Sequence, residues 1–196
     1  MKKTITINLG GMVFNIDDDA YTLLRDYLQA VGKHYAREET SSEILEDIEA
    51  RMAELFRERM TGAKQVITRT DTEEVVSIMG YPEDFAAEEG PDESYYHRRS
   101  RSRRIYRDPD NSVLGGVCGG MGAYFNLDPL IFRILFLILF FGAGTGLILY
   151  IILWIVVPEA KTTAQKLEMR GESVNVSNIG RKVKEEFNHV REKMNL

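Results

Sequence analysis

Residues 130–157 read LIFRILFLILFFGAGTGLILYIILWIVV, and this run is the most apolar part of the chain. Its 28 residues include one charged side chain, Arg133. At about 1.5 Å per residue, a continuous helix of this length spans roughly 42 Å, more than the bilayer's hydrocarbon core of about 30 Å. The run excludes a soluble single-domain protein and predicts a membrane segment over residues 129–157.

Three glycines, Gly142, Gly144 and Gly146, interrupt the middle of this run. Each lowers helix propensity by about 1 kcal/mol and permits a kink or a turn. Two arrangements are open: one tilted or kinked transmembrane helix, or a re-entrant hairpin of two short helices. Because lipid rarely tolerates an unpaired turn at mid-depth, we favour the single span.

Local signals mark both ends of the segment. Asp128 precedes Pro129, the pattern of an N-cap followed by proline at the first helical position. Pro158 ends the run, and Tyr150 and Trp154 lie near it, as aromatic side chains do at a membrane interface.

Arginines dominate the N-terminal flank. Six of them fall in one short run: Arg98, Arg99, Arg101, Arg103, Arg104 and Arg107. The other flank offers Lys161, Lys166 and Arg170, so the bias predicts a cytoplasmic N-terminus and, for a single span, an external tail. We expect the six arginines to bind lipid headgroups; nucleic acid is the alternative ligand. Arg133 lies in the second turn and is expected to reach back to the headgroups, or else to bind a partner within the membrane.

The N-terminal part is acidic, with 10 Lys and Arg against 19 Asp and Glu in residues 1–90, a net charge of −9. This charge argues against DNA binding. Two alternating runs flank Gly10-Gly11 and predict a β-hairpin. Its register pairs Leu9 with Met12, Ile7 with Phe14 and Ile5 with Ile16 on one apolar face.

Helices are expected to cover that face. One begins at Asp17 or Asp18 and ends near Tyr35; the second begins at a capping box, residues 40–43, and ends near Met60 before Gly62. A short extended segment (65–68) precedes a third helix that starts at a capping box in residues 70–73 and ends at Gly80. The fold class is therefore α+β: an acidic soluble domain over residues 1–87, a linker over 88–103, and the membrane part.

A glycine-rich run precedes the membrane segment. It lacks the Gly-Lys-Ser/Thr of a phosphate-binding loop, so that function is rejected. Apolar residues at helical spacing predict an amphipathic helix over 112–126, with two small faces, Gly115/Gly119 and Gly116/Gly120. Such faces let helices approach each other closely, so we expect packing on another helix or on the membrane surface.

This run and the apolar segment together resemble the phage shock protein C (PspC) domain family. The resemblance covers residues 103–159 and rests on these matches: Tyr106-Arg107, Asn111, Gly115-Gly116-Val117-Cys118-Gly119-Gly120, Tyr124-Phe125, Asp128-Pro129, Arg133, Tyr150, Trp154 and Pro158. The acidic N-terminal domain is an addition to the short family pattern.

The resemblance implies a PspC-like membrane domain over residues 104–159 in the bacterial cytoplasmic (inner) membrane. It implies a non-enzymatic role in sensing or relaying envelope stress through phage-shock-type proteins or a cytoplasmic regulator. The residues expected to pack against membrane or partner are Gly115, Gly116, Gly119, Gly120, Tyr124, Phe125, Arg133, Tyr150 and Trp154. A structural scaffold that forms homo-oligomers through the glycine faces and tethers the acidic domain is the alternative.

The tail, residues 160–196, carries an apolar stripe among basic residues and predicts an amphipathic helix over 178–194. This helix would dock on anionic lipid or a partner, or fold against its own protein.

No catalytic or metal-binding pattern is present. The three histidines lie far apart, and neither a nucleophile elbow nor a dinucleotide fingerprint occurs. Cys118 lies in the glycine-rich helix and is expected to be a small packing residue. We therefore expect no enzyme activity, no cofactor and no metal.

Overall fold

The computed structural model describes residues 3–60, 65–81 and 103–194. Its residues group into two compact units. The N-terminal unit contains residues 1–95 and 174–196; the central unit contains residues 96–173. Several sequence expectations fall outside the described residues: Gly62, almost all of the 88–103 linker, and Arg98, Arg99 and Arg101.

The β-hairpin forms as predicted. Strand β1 (Thr4–Leu9) pairs antiparallel with β2 (Met12–Asp17), and Ile7 lies opposite Phe14 in the expected register. A third strand, β3 (Val66–Ile67), adds to β2 in parallel, so the sheet order is β1-β2-β3.

Three helices follow the sequence pattern in the N-terminal unit: α1 (Asp18–Tyr35), α2 (Ser41–Arg59) and α3 (Arg69–Met79). Their apolar stripes bury against the sheet, and the largest fully buried side chain is Phe56. Two details of the capping prediction are wrong. The side chain of Thr40 does not cap α2. The capping box of α3 is formed by Thr68 and Asp71, because that helix begins earlier than expected.

The tail helix belongs to this same unit. It runs as α8 (Val176–Lys193), packs on α2, and buries Val176, Ile179 and Val183. A Cβ on Gly180 would lie 2.5 Å from the hydroxyl oxygen of Tyr35, so the small residue permits close contact with α1. Of the alternatives for the tail, packing against its own protein is the one that forms.

The described residues of the central unit form four helices: α4 (Val117–Phe125), α5 (Pro129–Ala143), α6 (Gly146–Val156) and α7 (Thr163–Arg170). The expectation of one helix over residues 129–157 is wrong. The chain turns at Gly144, which has a φ of 68°, and a Cβ on Gly146 would lie 2.6 Å from the backbone nitrogen of Phe140. Glycine is therefore required where α6 folds back on α5, and the segment forms a hairpin of two short helices; entry of this hairpin into a membrane stays a prediction.

Each arm of this hairpin is short. Helix α5 has 15 residues and α6 has 11. No helix within the described ranges has both the length and the apolar character needed to cross a bilayer.

The glycine-rich helix also differs from its prediction. It begins at Val117 and not at residue 112, because Gly115 and Gly116 adopt φ values of 65° and 76° that end any helix. Val113 and Leu114 lie before the helix and are exposed. The start of α5 is as predicted, since the Asp128 carboxylate accepts a hydrogen bond from Leu130 N–H at 2.8 Å.

Candidate functional site

The glycines of α4 pack against a loop of their own chain. A Cβ on Gly120 would overlap the carbonyl of Tyr106, and one on Gly119 would lie 3.1 Å from the Asp108 side chain. The segment 106–111 therefore lies directly on α4. This contact occupies the faces that the sequence assigned to another helix.

Arg107 joins the segment before α4 to the end of α6. The Arg107 side chain makes three contacts that hold the base of the hairpin. The guanidinium donates from Nε to the Val157 carbonyl at 3.0 Å and from Nη1 to the Gly115 carbonyl at 2.8 Å, and Nη2 pairs with Glu159 at 3.3 Å. Backbone hydrogen bonds from Arg107 N–H to Pro158 O and from Ala160 N–H to Arg107 O add to this clamp. The end of α6 is thus fastened to the segment before α4.

Arg133 is held in a similar way at the start of α5. Its Nη2 donates to the Asn111 carbonyl at 3.0 Å. The Asn111 side chain donates in turn to the carboxylate of Asp108, which also accepts from Asp110 N–H and is 1% exposed. In this structure Arg133 stabilises a loop of its own chain, which neither of the two sequence hypotheses described.

The aromatic residues of α6 complete the base. The hydroxyl of Tyr150 donates to the Leu114 carbonyl, and the Trp154 indole lies so close to Gly115 that a Cβ there would be 2.5 Å from Nε1. Cys118 packs with Phe132 and Phe136 in a small cluster between α4 and the hairpin. Burial raises the pKa of the Cys118 thiol, in agreement with a packing residue.

The remaining predicted residues lie around this base. Arg103 donates to the Tyr124 carbonyl at 2.9 Å, and Arg104 lies 4.0 Å from Glu168 of α7. Phe125 is exposed and stacks on Phe132 at a centroid distance of 5.8 Å. Binding of the arginines to lipid headgroups stays a prediction.

Sequence reasoning missed the acidic partners of this site. Glu168 accepts a hydrogen bond from the Tyr106 hydroxyl at 3.3 Å, and Lys166 pairs with Asp110 at 3.1 Å. Burial, with the charge of Glu168, raises the pKa of Tyr106. The turn residues around Asp108 were the available signal, but nothing local identifies α7 as their neighbour.

The two faces of the central unit differ sharply in chemistry. The base of the hairpin carries the polar contacts of Arg107 and Arg133 described above. Apart from Arg133 at the start of α5 and the hydroxyl of Tyr150 in α6, both arms consist of apolar side chains and glycine. Their exposed large apolar side chains are Leu130, Ile131, Ile134, Leu135, Leu137, Ile138, Phe140, Phe141, Leu147, Ile148, Leu149, Ile151, Ile152, Trp154, Ile155 and Val156. Within the described ranges, no group of three or more His, Cys, Asp and Glu is placed to hold a metal ion.

Residues 103–160 match the model of the PspC domain. The chain contains a PspC domain. That domain comprises the Arg107 clamp, the glycine-rich α4 and the whole hairpin, and it indicates a phage-shock-type, stress-related protein. No curated protein and no solved structure matches the chain.

Proposed function

We propose that this protein is a non-enzymatic membrane component of a bacterial envelope-stress response. Its PspC hairpin inserts into the cytoplasmic membrane, and its N-terminal unit relays the state of that membrane through protein contacts. The exposed apolar surface of α5 and α6 carries the proposal. A soluble protein rarely exposes a continuous apolar surface of this kind, and burying it in hydrocarbon is favourable at roughly 25 cal/mol per Å².

The dimensions of the hairpin favour entry into the membrane from one side. Helix α5 is roughly 22 Å long and α6 roughly 16 Å, against a hydrocarbon core of about 30 Å. Hydrogen bonds from Gly144 N–H to Phe140 O and from Leu149 N–H to Thr145 O satisfy part of the turn. The cost of placing a turn within lipid is reduced accordingly.

The composition of the N-terminal unit supports the same topology. This unit contains chain from before the PspC domain and, through α8, chain from after it. A single folded unit lies on one side of a bilayer, so both flanks of the hairpin lie on that side. The arginine-rich flank makes it the cytoplasmic side. This proposal replaces our expectation of an external tail.

The partners we propose are membrane lipid and either another phage-shock-type protein or a cytoplasmic regulator. The net charge of −9 over residues 1–90 disfavours nucleic acid as a ligand. The scaffold alternative relied on the glycine faces of α4 as an oligomer interface. Gly119 and Gly120 already contact residues 106–111, and Gly115 and Gly116 lie outside the helix, so that interface has no free surface.

The test is to make the hairpin tip polar. Phe141 is 81% exposed, so the double variant Phe141→Glu, Ile148→Glu leaves the packing of both units unchanged. We expect it to leave the membrane fraction and to lose the response to membrane depolarisation. The matched control is Val13→Glu, a substitution at an exposed position of β2. Retention of the double variant in the membrane would contradict the insertion, and loss of insertion with a normal stress response would contradict the relay.

A further inference from the structure

The turns on either side of α4 expose apolar side chains, and we call residues 112–114 and 125–127 the flanking turns. Their exposed apolar side chains are Val113, Leu114, Phe125 and Leu127. Exposed apolar groups of this size, grouped at two neighbouring places, mark a surface that contacts something other than water. Both turns lie outside the hairpin, so the insertion of α5 and α6 does not by itself account for them.

Each flanking turn lies against one arm of the hairpin. The Tyr150 hydroxyl donates to the Leu114 carbonyl, and the Phe125 ring stacks on Phe132 at a centroid distance of 5.8 Å. Phe132 is the fourth residue of α5, and Tyr150 is the fifth of the 11 residues of α6. The turns therefore lie beside the arms, and their apolar side chains continue the exposed apolar surface of the hairpin.

The chain around the flanking turns carries very little charge. In residues 111–158 the only charged side chains are Asp128 and Arg133. Both are bonded within the protein, since the Asp128 carboxylate accepts from Leu130 N–H and the Arg133 guanidinium donates to the Asn111 carbonyl. Turns that face water are usually rich in polar side chains, so this composition favours an apolar environment.

Side chains of the same unit bind the backbone carbonyls of these turns. Arg107 donates to the Gly115 carbonyl at 2.8 Å, next to the Leu114 carbonyl that Tyr150 binds. At the other turn Arg103 donates to the Tyr124 carbonyl at 2.9 Å. Water can satisfy such carbonyls in a solvated turn, but lipid cannot, so a turn that enters lipid needs these internal donors.

We propose that both flanking turns contact lipid at the boundary between the headgroups and the acyl chains. The embedded part of the PspC domain then includes the two ends of α4 as well as the hairpin. This inference rests on the proposed insertion of the hairpin and extends it. Asp128 and Arg133 keep the turns near the headgroups, because charged groups stay close to the polar face of a bilayer. Continuity with the hairpin surface, the lack of charge and the paired carbonyls all favour lipid over a water-soluble partner.

Quenching by brominated lipid tests this contact. The full chain, on a Cys118→Ser background, would carry a fluorophore on a single cysteine at Ser112→Cys or Leu127→Cys, both at exposed positions. It would be reconstituted in vesicles of phosphatidylcholine and phosphatidylglycerol with bromine at either the headgroup end or the tail end of the acyl chains. Phe141→Cys reports on the hairpin tip, and Val13→Cys, exposed on β2, is the matched control.

We expect shallow bromine to quench the probes in both flanking turns more strongly than deep bromine does. Deep bromine should quench the Phe141→Cys probe, and neither lipid should quench the Val13→Cys probe. If the Phe141→Cys probe is quenched and the turn probes are not, the hairpin inserts but the proposal for the turns is wrong.

The other outcomes separate the two proposals further. If no probe is quenched, the insertion itself is wrong, and the inference about the turns is wrong with it. A Ser112→Cys probe that is shielded from both brominated lipid and aqueous iodide would show that protein covers this turn, which would overturn the lipid contact. Equal quenching of the Val13→Cys probe would also overturn it, because the signal would not be specific to the turns.

Discussion

The helices of the N-terminal unit and those of the PspC hairpin differ in where their apolar side chains lie. Helices α1 and α2 each bury one apolar stripe, and their charged residues other than the buried Arg51 lie outside it. Helices α5 and α6 carry one charged side chain, Arg133, and leave most of their apolar side chains exposed. Phe56 and Phe141 show the contrast, since the first is fully buried and the second almost fully exposed. The N-terminal unit thus buries its apolar side chains within itself, whereas the hairpin leaves its own exposed, which is the basis of the proposed membrane insertion.

The largest expected effect lies in the core of the N-terminal unit. Phe56→Ala should lower the free energy of unfolding by about 3–5 kcal/mol, because it removes a fully buried ring and leaves a cavity. Urea denaturation followed by circular dichroism measures the change. Phe141→Ala serves as the matched control, and its effect on unfolding in detergent should stay within about 0.5 kcal/mol. If both variants lost the same free energy of unfolding, the claimed difference between the buried and the exposed ring would be wrong.

A smaller effect is expected at the base of the hairpin. Gly120→Ala should destabilise the central unit by about 1–3 kcal/mol, because its Cβ overlaps the Tyr106 carbonyl and the backbone must move. Fluorescence of Trp154, the single tryptophan, reports on this unit during unfolding. The control is Gly142→Ala, where a Cβ meets no atom within 4 Å and a helix gains propensity. A stable Gly120→Ala variant would mean that the 106–111 segment does not rest on α4.

The smallest effect concerns a buried tyrosine. Burial raises the pKa of Tyr27 above its usual value of 10, and its hydroxyl donates to the Gly80 carbonyl at 3.0 Å. A raised pKa contributes stability that is present below pH 10 and is lost as the pH rises toward the folded-state value. The urea concentration at the unfolding midpoint of the N-terminal unit should therefore decrease as the pH rises above 10. Tyr27→Phe should remove this pH dependence and should lower the free energy of unfolding at neutral pH by about 1 kcal/mol. Tyr81→Phe, a substitution at an exposed tyrosine, should leave the pH dependence of the midpoint unchanged.

Local signals in the sequence were sufficient for the elements whose partners are close in the chain. The Gly10-Gly11 pair between alternating strands determined the hairpin register, and Asp128-Pro129 determined the start of α5. A turn at the glycines of residues 142–146 was one of the two arrangements that the sequence left open. Whether the chain turns there depends on how closely Gly146 approaches Phe140, which helix propensities do not describe.

Long-range contacts were beyond sequence reasoning. The packing of Gly180 against Tyr35 joins residues far apart in the chain, and an amphipathic pattern does not say what covers it. The same holds for Arg107, whose acceptors at Gly115 and Val157 are backbone carbonyls that no side-chain pattern reveals.

The side of the membrane on which each flank lies tests the central claim most directly. Single cysteines at Val13→Cys and His189→Cys, on the Cys118→Ser background, would be treated in intact cells with a membrane-impermeant thiol reagent, and membrane-bound protein would be recovered. We predict that both cysteines are protected in intact cells and that both are labelled after permeabilisation. Labelling of the His189→Cys protein in intact cells, with Val13→Cys protected, would place the tail outside and contradict the one-sided hairpin.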